Sequence, residues 1–238
     1  MIEIKNVSKK YSNHLAVDDL TLTIPNGKVV GLLGPNGAGK STTLKMIAGI
    51  LSIDKGNISI DGKDIFLQPD EAKENFGYVF DTPDMFLTMK GIDFLNFISS
   101  IYSIDRKEAM DYALNLAEKL DMKTDLNKYI ADLSHGMRQK IFIISSLMHK
   151  PNNWILDEPL VGLDPKSAFQ VKEIMRDIAK DNRTVLYSTH VLETAEKICD
   201  EVAIIDKGKL VFYGTVEDLK ILENEDASLE SLFLDLTK

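Results

Sequence analysis

Eight consecutive residues, Gly34-Pro35-Asn36-Gly37-Ala38-Gly39-Lys40-Ser41, fit the pattern G-x-x-x-x-G-K-[ST]. The apolar run Val29-Val30-Gly31-Leu32-Leu33 precedes them, and Leu44, Ile47, Ala48 and Leu51 follow at helical spacing. Strand, glycine loop and helix in that order make a phosphate cradle. The glycines let backbone N–H groups converge on phosphate oxygens, and the helix N-terminus adds partial positive charge. In such a loop Lys40 reaches the β- and γ-phosphates and the Ser41 hydroxyl ligates Mg²⁺. Thr42 supplies a further donor near the α-phosphate. A second reactive pair ends another apolar run, Trp154-Ile155-Leu156-Asp157-Glu158. Carboxylates there sit at the C-terminal edge of a parallel sheet, where ligands bind in open α/β folds. Asp157 suits Mg²⁺ held through water, and Glu158 suits the general base for a water attacking the γ-phosphate.

These groups need a sheet to hold them. Ile2 and Ile4, then Leu20, Leu22 and Ile24, alternate with polar residues, the period of a half-buried strand. The continuous run Lys28 to Leu33 instead predicts a strand covered on both faces. Short strands are expected at Ile58 to Gly62, Gly77 to Phe80, Trp154 to Leu156 and Thr184 to Ser188. Two more, Glu201 to Ile205 and Leu210 to Tyr213, flank a Lys207-Gly208 turn. Helices are expected over Lys40 to Leu51, Thr88 to Leu120 with a break near Ser103 to Arg106, Ile141 to Met148, Lys166 to Lys180 and Val191 to Cys199. Two short ones should follow from Val216.

The chain has 238 residues, enough to bury a sizeable core, with 44% hydrophobic and 27% charged residues. A formal net charge of −9 argues against a nucleic-acid partner. The single cysteine, Cys199, excludes an internal disulfide and a multi-cysteine zinc site, and reads as an apolar filler on a helix. The N-terminal residues carry no secretion signal, and no apolar run is long enough to cross a bilayer. His14 and His149 fit no motif and are expected at the surface.

Five segments in one order resemble the ATP-binding cassette (ABC) ATPases. They are the phosphate loop, Leu133-Ser134-His135-Gly136-Met137 as the signature loop, Asp157-Glu158, Gly162-Leu163-Asp164-Pro165 as the D-loop, and Ser188-Thr189-His190 as the switch segment. Tyr11 falls where that family has an aromatic residue stacking on adenine. The resemblance implies an α/β fold: a P-loop NTPase core with an N-terminal antiparallel β-subdomain and an inserted α-helical subdomain. On that reading the whole chain is a single ABC ATPase domain. Its core spans 1–83 and 134–215, the helical insert 84–133, and C-terminal helices 216–238.

The resemblance also implies the chemistry. ATP and Mg²⁺ are the expected ligands. ATP would lie between two cassettes, with Ser134 and Gly136 of one gripping the γ-phosphate held by the other. His190 would contact that phosphate and orient the water, and Asp164 would link the two sites. The expected partners are a second ABC ATPase subunit, most simply another copy of this chain, and an integral-membrane permease. The expected location is cytoplasmic, peripheral on the inner face of the membrane. The segment 228–237 resembles the end of exporter ATPases of the ABC-2 type. Met85, Phe86, Leu87 and Met89 read equally as a groove for a permease helix and as core. Other readings are a soluble cassette in translation or DNA repair, and a regulatory cassette that barely hydrolyses.

Three positions depart from the family pattern. Asp81 stands where a glutamine ligates Mg²⁺ and senses the γ-phosphate; it can still bind the metal but adds negative charge. His135 replaces the first signature glycine, either facing solvent or helping to hold ATP. Met137 replaces the signature glutamine.

Overall fold

Alternation builds the first sheet. The computed structural model describes residues 1–102 and 104–221. Strand β1 (Ile2–Tyr11) pairs antiparallel with β2 (His14–Ile24), burying Ile2, Ile4, Val7, Leu20, Leu22 and Ile24 in one cluster. A register shift between Ile4 and Val7 keeps Val7 on the buried face despite the odd spacing. Strand β3 is Val29–Leu33 and helix α1 is Lys40–Ile47. Strands β4 (Lys55–Ile60) and β5 (Lys63–Asp64) complete a four-stranded antiparallel sheet in the order β2-β1-β4-β5.

The second sheet carries the site. After the short helix α2 (Pro69–Lys73) come β6 (Phe76–Val79), then β7 (Asn153–Leu156), β8 (Thr184–Thr189), β9 (Glu201–Asp206) and β10 (Lys209–Gly214). Their order is β10-β9-β3-β8-β7-β6, parallel throughout except for β10. All five residues of β3 are buried because both faces are covered. Val30 and Leu32 pack toward the first sheet and α1, and Val29 packs toward the helices opposite.

Those helices are α3 (Gly91–Ile101), α4 (Arg106–Lys119), α5 (His135–Leu147) and α6 (Pro165–Lys180). Phe94, Ala113, Ile143 and Met175 join Trp154, Leu156, Val185 and Tyr187 of the sheet in one continuous cluster. Buried Trp154 satisfies its indole N–H on Ser146 Oγ at 2.9 Å. Helices α7 (Leu192–Ile198) and α8 (Val216–Ile221) cover the β9 side.

The structure corrects several expectations. Helix α1 ends at Ile47 rather than Leu51, because Gly49 turns left-handed at φ 67°. Helix α5 starts at His135, ahead of its apolar run, because Ser134 caps it by accepting from Met137 N at 3.3 Å. Cys199 sits just past the end of α7, not on it. His149 is not a surface residue: it is half-buried, stacks on Tyr102 at 3.8 Å, and bonds the Phe76 carbonyl at 3.0 Å. Met85, Leu87 and Met89 pack against the core, whereas Phe86 is exposed. The second C-terminal helix and segment 228–237 lie outside the described residues. Among the described residues no helix is long and apolar enough to cross a membrane.

Candidate functional site

Parallel register aligns the ends of four strands. Leu33 of β3 sits opposite Thr189 of β8, and Leu156 of β7 opposite both Tyr187 of β8 and Val79 of β6. The segments that follow therefore open on one sheet edge: Gly34 to Lys40, Asp157-Glu158, His190 and Asp81.

A cleft of about 410 Å³ lies there, lined by Tyr11, Asn36, Gly37, Gly39, Lys40, Ser41, Thr42, Asp81 and Glu158, among others. Gly37 has φ 82° and nothing within 4 Å of where a Cβ would stand, so its backbone faces open space. Gly39 has the opposite constraint: a Cβ would meet Ala16 O at 2.5 Å. Buried Ala38 donates its N–H to Pro35 O at 3.1 Å and accepts from Gly208 N, closing the loop and tying it to the β9–β10 turn. Lys40 is 7% exposed, its Nζ held by Gly34 O at 2.7 Å and Pro35 O at 3.1 Å. Burial pushes its ammonium pKa down, while Glu158 and Asp157 pull it back up. A buried cation facing carboxylates and a backbone cradle will attract a polyanion.

Asp157 is fully buried. Its Oδ1 accepts from Ser188 Oγ at 2.6 Å and Ser41 Oγ at 3.1 Å, while Oδ2 has no protein partner and no solvent contact. Burial raises its pKa, the two hydroxyls oppose that, and Asp81 adds to it. An orphaned carboxylate oxygen beside a serine hydroxyl fits a hard divalent cation. Among the described residues no group of three or more His, Cys, Asp and Glu could hold a metal unaided, so a cation here needs oxygens from a ligand.

Glu158 adopts φ 46°, and its N–H is anchored on Ser188 Oγ at 2.9 Å. Its Oε1 lies 3.0 Å from His190 Nδ1. The two side chains thus pair at the edge of the cleft that Glu158 lines. A second cavity of about 290 Å³ opens behind it, toward Lys172 and Thr194.

Ser134 and Gly136 do not join the residues lining this cleft. They lie in the cap and first turn of α5, with Gly136 against Gly162. Asp164 caps α6 through Ser167 N at 3.0 Å and pairs with Lys140 at 3.3 Å; the Ser167 contacts hold its pKa low. Met137 rests against the hydrophobic core.

Sequence reading missed His14. It lines the cleft beside Tyr11, its register partner across the tight Ser12-Asn13 turn. The two-residue separation of a hairpin was the available signal.

With this geometry in view, known proteins can be compared. The ABC transporter family model matches residues 17–161. The linearmycin resistance ATP-binding protein LnrL of Bacillus subtilis (strain 168) is 35% identical over 219 residues, 92% of this chain and 70% of that one. The ABC transporter ATP-binding protein NatA of the same organism is 34% identical over 224 residues, 92% of this chain and 91% of that one. A solved structure of an ATP-binding subunit of an ABC transporter superposes with a TM-score of 0.94 at 32% identity, covering 100% of both chains. Phosphate loop, buried aspartate and glutamate–histidine pair on one edge of this sheet thus go with family-wide similarity: the chain belongs to the ABC transporter ATP-binding family and is an ATPase of that family.

Proposed function

We propose that this chain is the motor subunit of an ABC exporter, pairing with a second copy around ATP and driving a separate permease. The carrying observation is the convergence of Lys40, the Asp157–Ser41 pair and the Glu158–His190 pair on one sheet edge. In this reading the loop from Gly34 to Thr42, with Pro35, Asn36, Gly37, Ala38 and Gly39 between, wraps the triphosphate, and Tyr11 stacks on the base. Ser41 and Asp157, with Asp81, hold Mg²⁺, which screens phosphate charge when bound. Glu158 takes the proton from the attacking water, and its short contact to His190 keeps the carboxylate aimed at the cleft. His190 presents its other ring nitrogen to the γ-phosphate. Ser134 and Gly136 lie outside this cleft, which supports their serving the partner's nucleotide.

Hydrolysis in the dimer would then open and close a membrane partner from its cytoplasmic face. Exposed Phe86, Phe97 and Ile101 offer that partner an apolar surface. The division into core (1–83, 134–215), helical insert (84–133) and C-terminal helices (216–238) belongs to the same proposal. The export direction is supported by the name of a relative 33% identical over 215 residues, the Nod factor export ATP-binding protein I of Burkholderia orbicola (strain AU 1054). The test is steady-state hydrolysis by Glu158→Gln against the parent chain. Loss of turnover with ATP still bound supports the catalytic reading, and equal rates would overturn it.

A further inference from the structure

The segment from Glu158 to Asp164 joins the proposed base to α6, and its middle leans on the start of α5. It turns left-handed twice, at Glu158 and at Gly162 (φ 78°). Within it, Val161 N donates to Glu158 O at 3.2 Å and Leu163 N to Leu160 O at 3.4 Å. At its far end Asp164 pairs with Lys140 of α5. In the middle, the Cδ2 edge of the His135 ring meets Gly162: a Cβ on Gly162 would stand 2.5 Å from His135 Cδ2, 3.2 Å from Nε2 and 3.7 Å from Cγ. Gly136 is pressed on the same point, since a Cβ there would meet Gly162 O at 2.4 Å. Gly136 is thus kept free of a side chain by the Gly162 backbone, and Gly162 by its own left-handed φ, with the His135 ring edge against it. A glycine at 135 would leave Gly162 without the ring that covers it.

We propose that His135 is a positioning residue, whose ring clamps the Glu158–Asp164 segment onto the N-terminus of α5. The inference rests on Glu158 being the base. It makes the Ser134 loop and the chain's own base one mechanical unit, so that movement at Ser134 reaches Glu158 through Gly162. The contact is made by the edge of a ring, so an apolar ring serves and a methyl does not. His135 does not line this chain's own nucleotide cleft, so its loss leaves ATP binding to the single cassette unchanged and acts on turnover.

The experiment compares His135→Ala and His135→Phe with the parent chain, reading kcat and KM for Mg-ATP and, separately, the Kd of a fluorescent ATP analogue. For His135→Ala we expect kcat to fall about 10-fold, the scale of a sub-ångström misplacement of a reacting group. Nucleotide Kd, read at protein concentrations where the chain is a monomer, should stay within about twofold, because His135 is absent from that cleft. His135→Phe should keep turnover within about twofold of the parent, as ring packing requires. Unchanged kcat in His135→Ala would overturn the proposal. So would equal losses in both variants, which would assign the effect to imidazole chemistry. A parallel Glu158→Gln measurement separates the failures: wild-type turnover there sinks the base assignment itself, whatever His135 does.

Discussion

Asp157 carries the sharpest conflict between stability and function at the level of single residues. It is buried with one oxygen unpartnered, and burial raises its pKa. A carboxyl that holds its proton more tightly when folded contributes stability below its ordinary value of 3.8, lost as pH rises through the raised one. At neutral pH it is therefore carried ionised at a cost. Asp157→Asn should raise the melting temperature of the protein free of metal and nucleotide while abolishing Mg²⁺-dependent stabilisation by ATP. Thermal melts with and without Mg-ATP decide both halves. Asp81 is an electrostatic matter in the same cleft. It lines the cleft proposed to hold the phosphates, and removing one charge at roughly 8 Å in a half-wet site is worth about 1 kcal/mol, or roughly fivefold. Asp81→Gln should lower the KM for Mg-ATP by about that factor without loss of kcat; a higher KM would show that its metal contact outweighs its repulsion.

Helix α5 brings a reactive loop and a structural core together on one element. Its cap, Ser134, is also the residue proposed to reach the partner's nucleotide. Ser134→Ala should cost about 1 kcal/mol of stability as a lost cap. It should also abolish ATP-driven association, an effect far larger than the cap accounts for. Urea unfolding and light scattering on the same variant separate the two. Just past α5, His149 bonds the first residue of β6 through Phe76 O, and burial pushes its pKa down to about 4. A histidine depressed from 6.5 contributes stability that is complete above 6.5 and lost as pH falls toward 4. That window is worth on the order of 3 kcal/mol. His149→Gln should flatten the acid limb of the stability profile between those values, as followed by denaturant titrations at stepped pH.

On the scale of the whole molecule, the proposed composite site has one half in the cleft and the other, Ser134 with Gly136, on a separate surface. Glu158→Gln, which keeps the cradle and removes the proposed base, should pass from monomer to dimer on adding Mg-ATP, measured by light scattering. A monomer that binds ATP would mean that the partner is a different cassette or that the permease is required.

The motifs, strand runs and helix patterns were legible in the sequence because each rests on local rules. A glycine loop needs its glycines adjacent, a two-sided strand needs a continuous apolar run, and an N-cap needs a hydroxyl at the helix start. Lys40, Ser41, Asp157 and Glu158 were visible in this way, and His190 through the resemblance of Ser188-Thr189-His190 to a segment of the family. What tertiary structure decided was which of these meet. The Ser188 hydroxyl bridges Asp157 and the Glu158 backbone only because β7 and β8 are neighbours in register. His14 reaches the cleft because the first sheet folds over the phosphate loop, and His149 is covered because α5 delivers it to Tyr102. The His135–Gly162 contact arises where two chain segments far apart in sequence pack without an intervening side chain. Spacing along the chain carries no record of such contacts, since packing, not local propensity, brings them about.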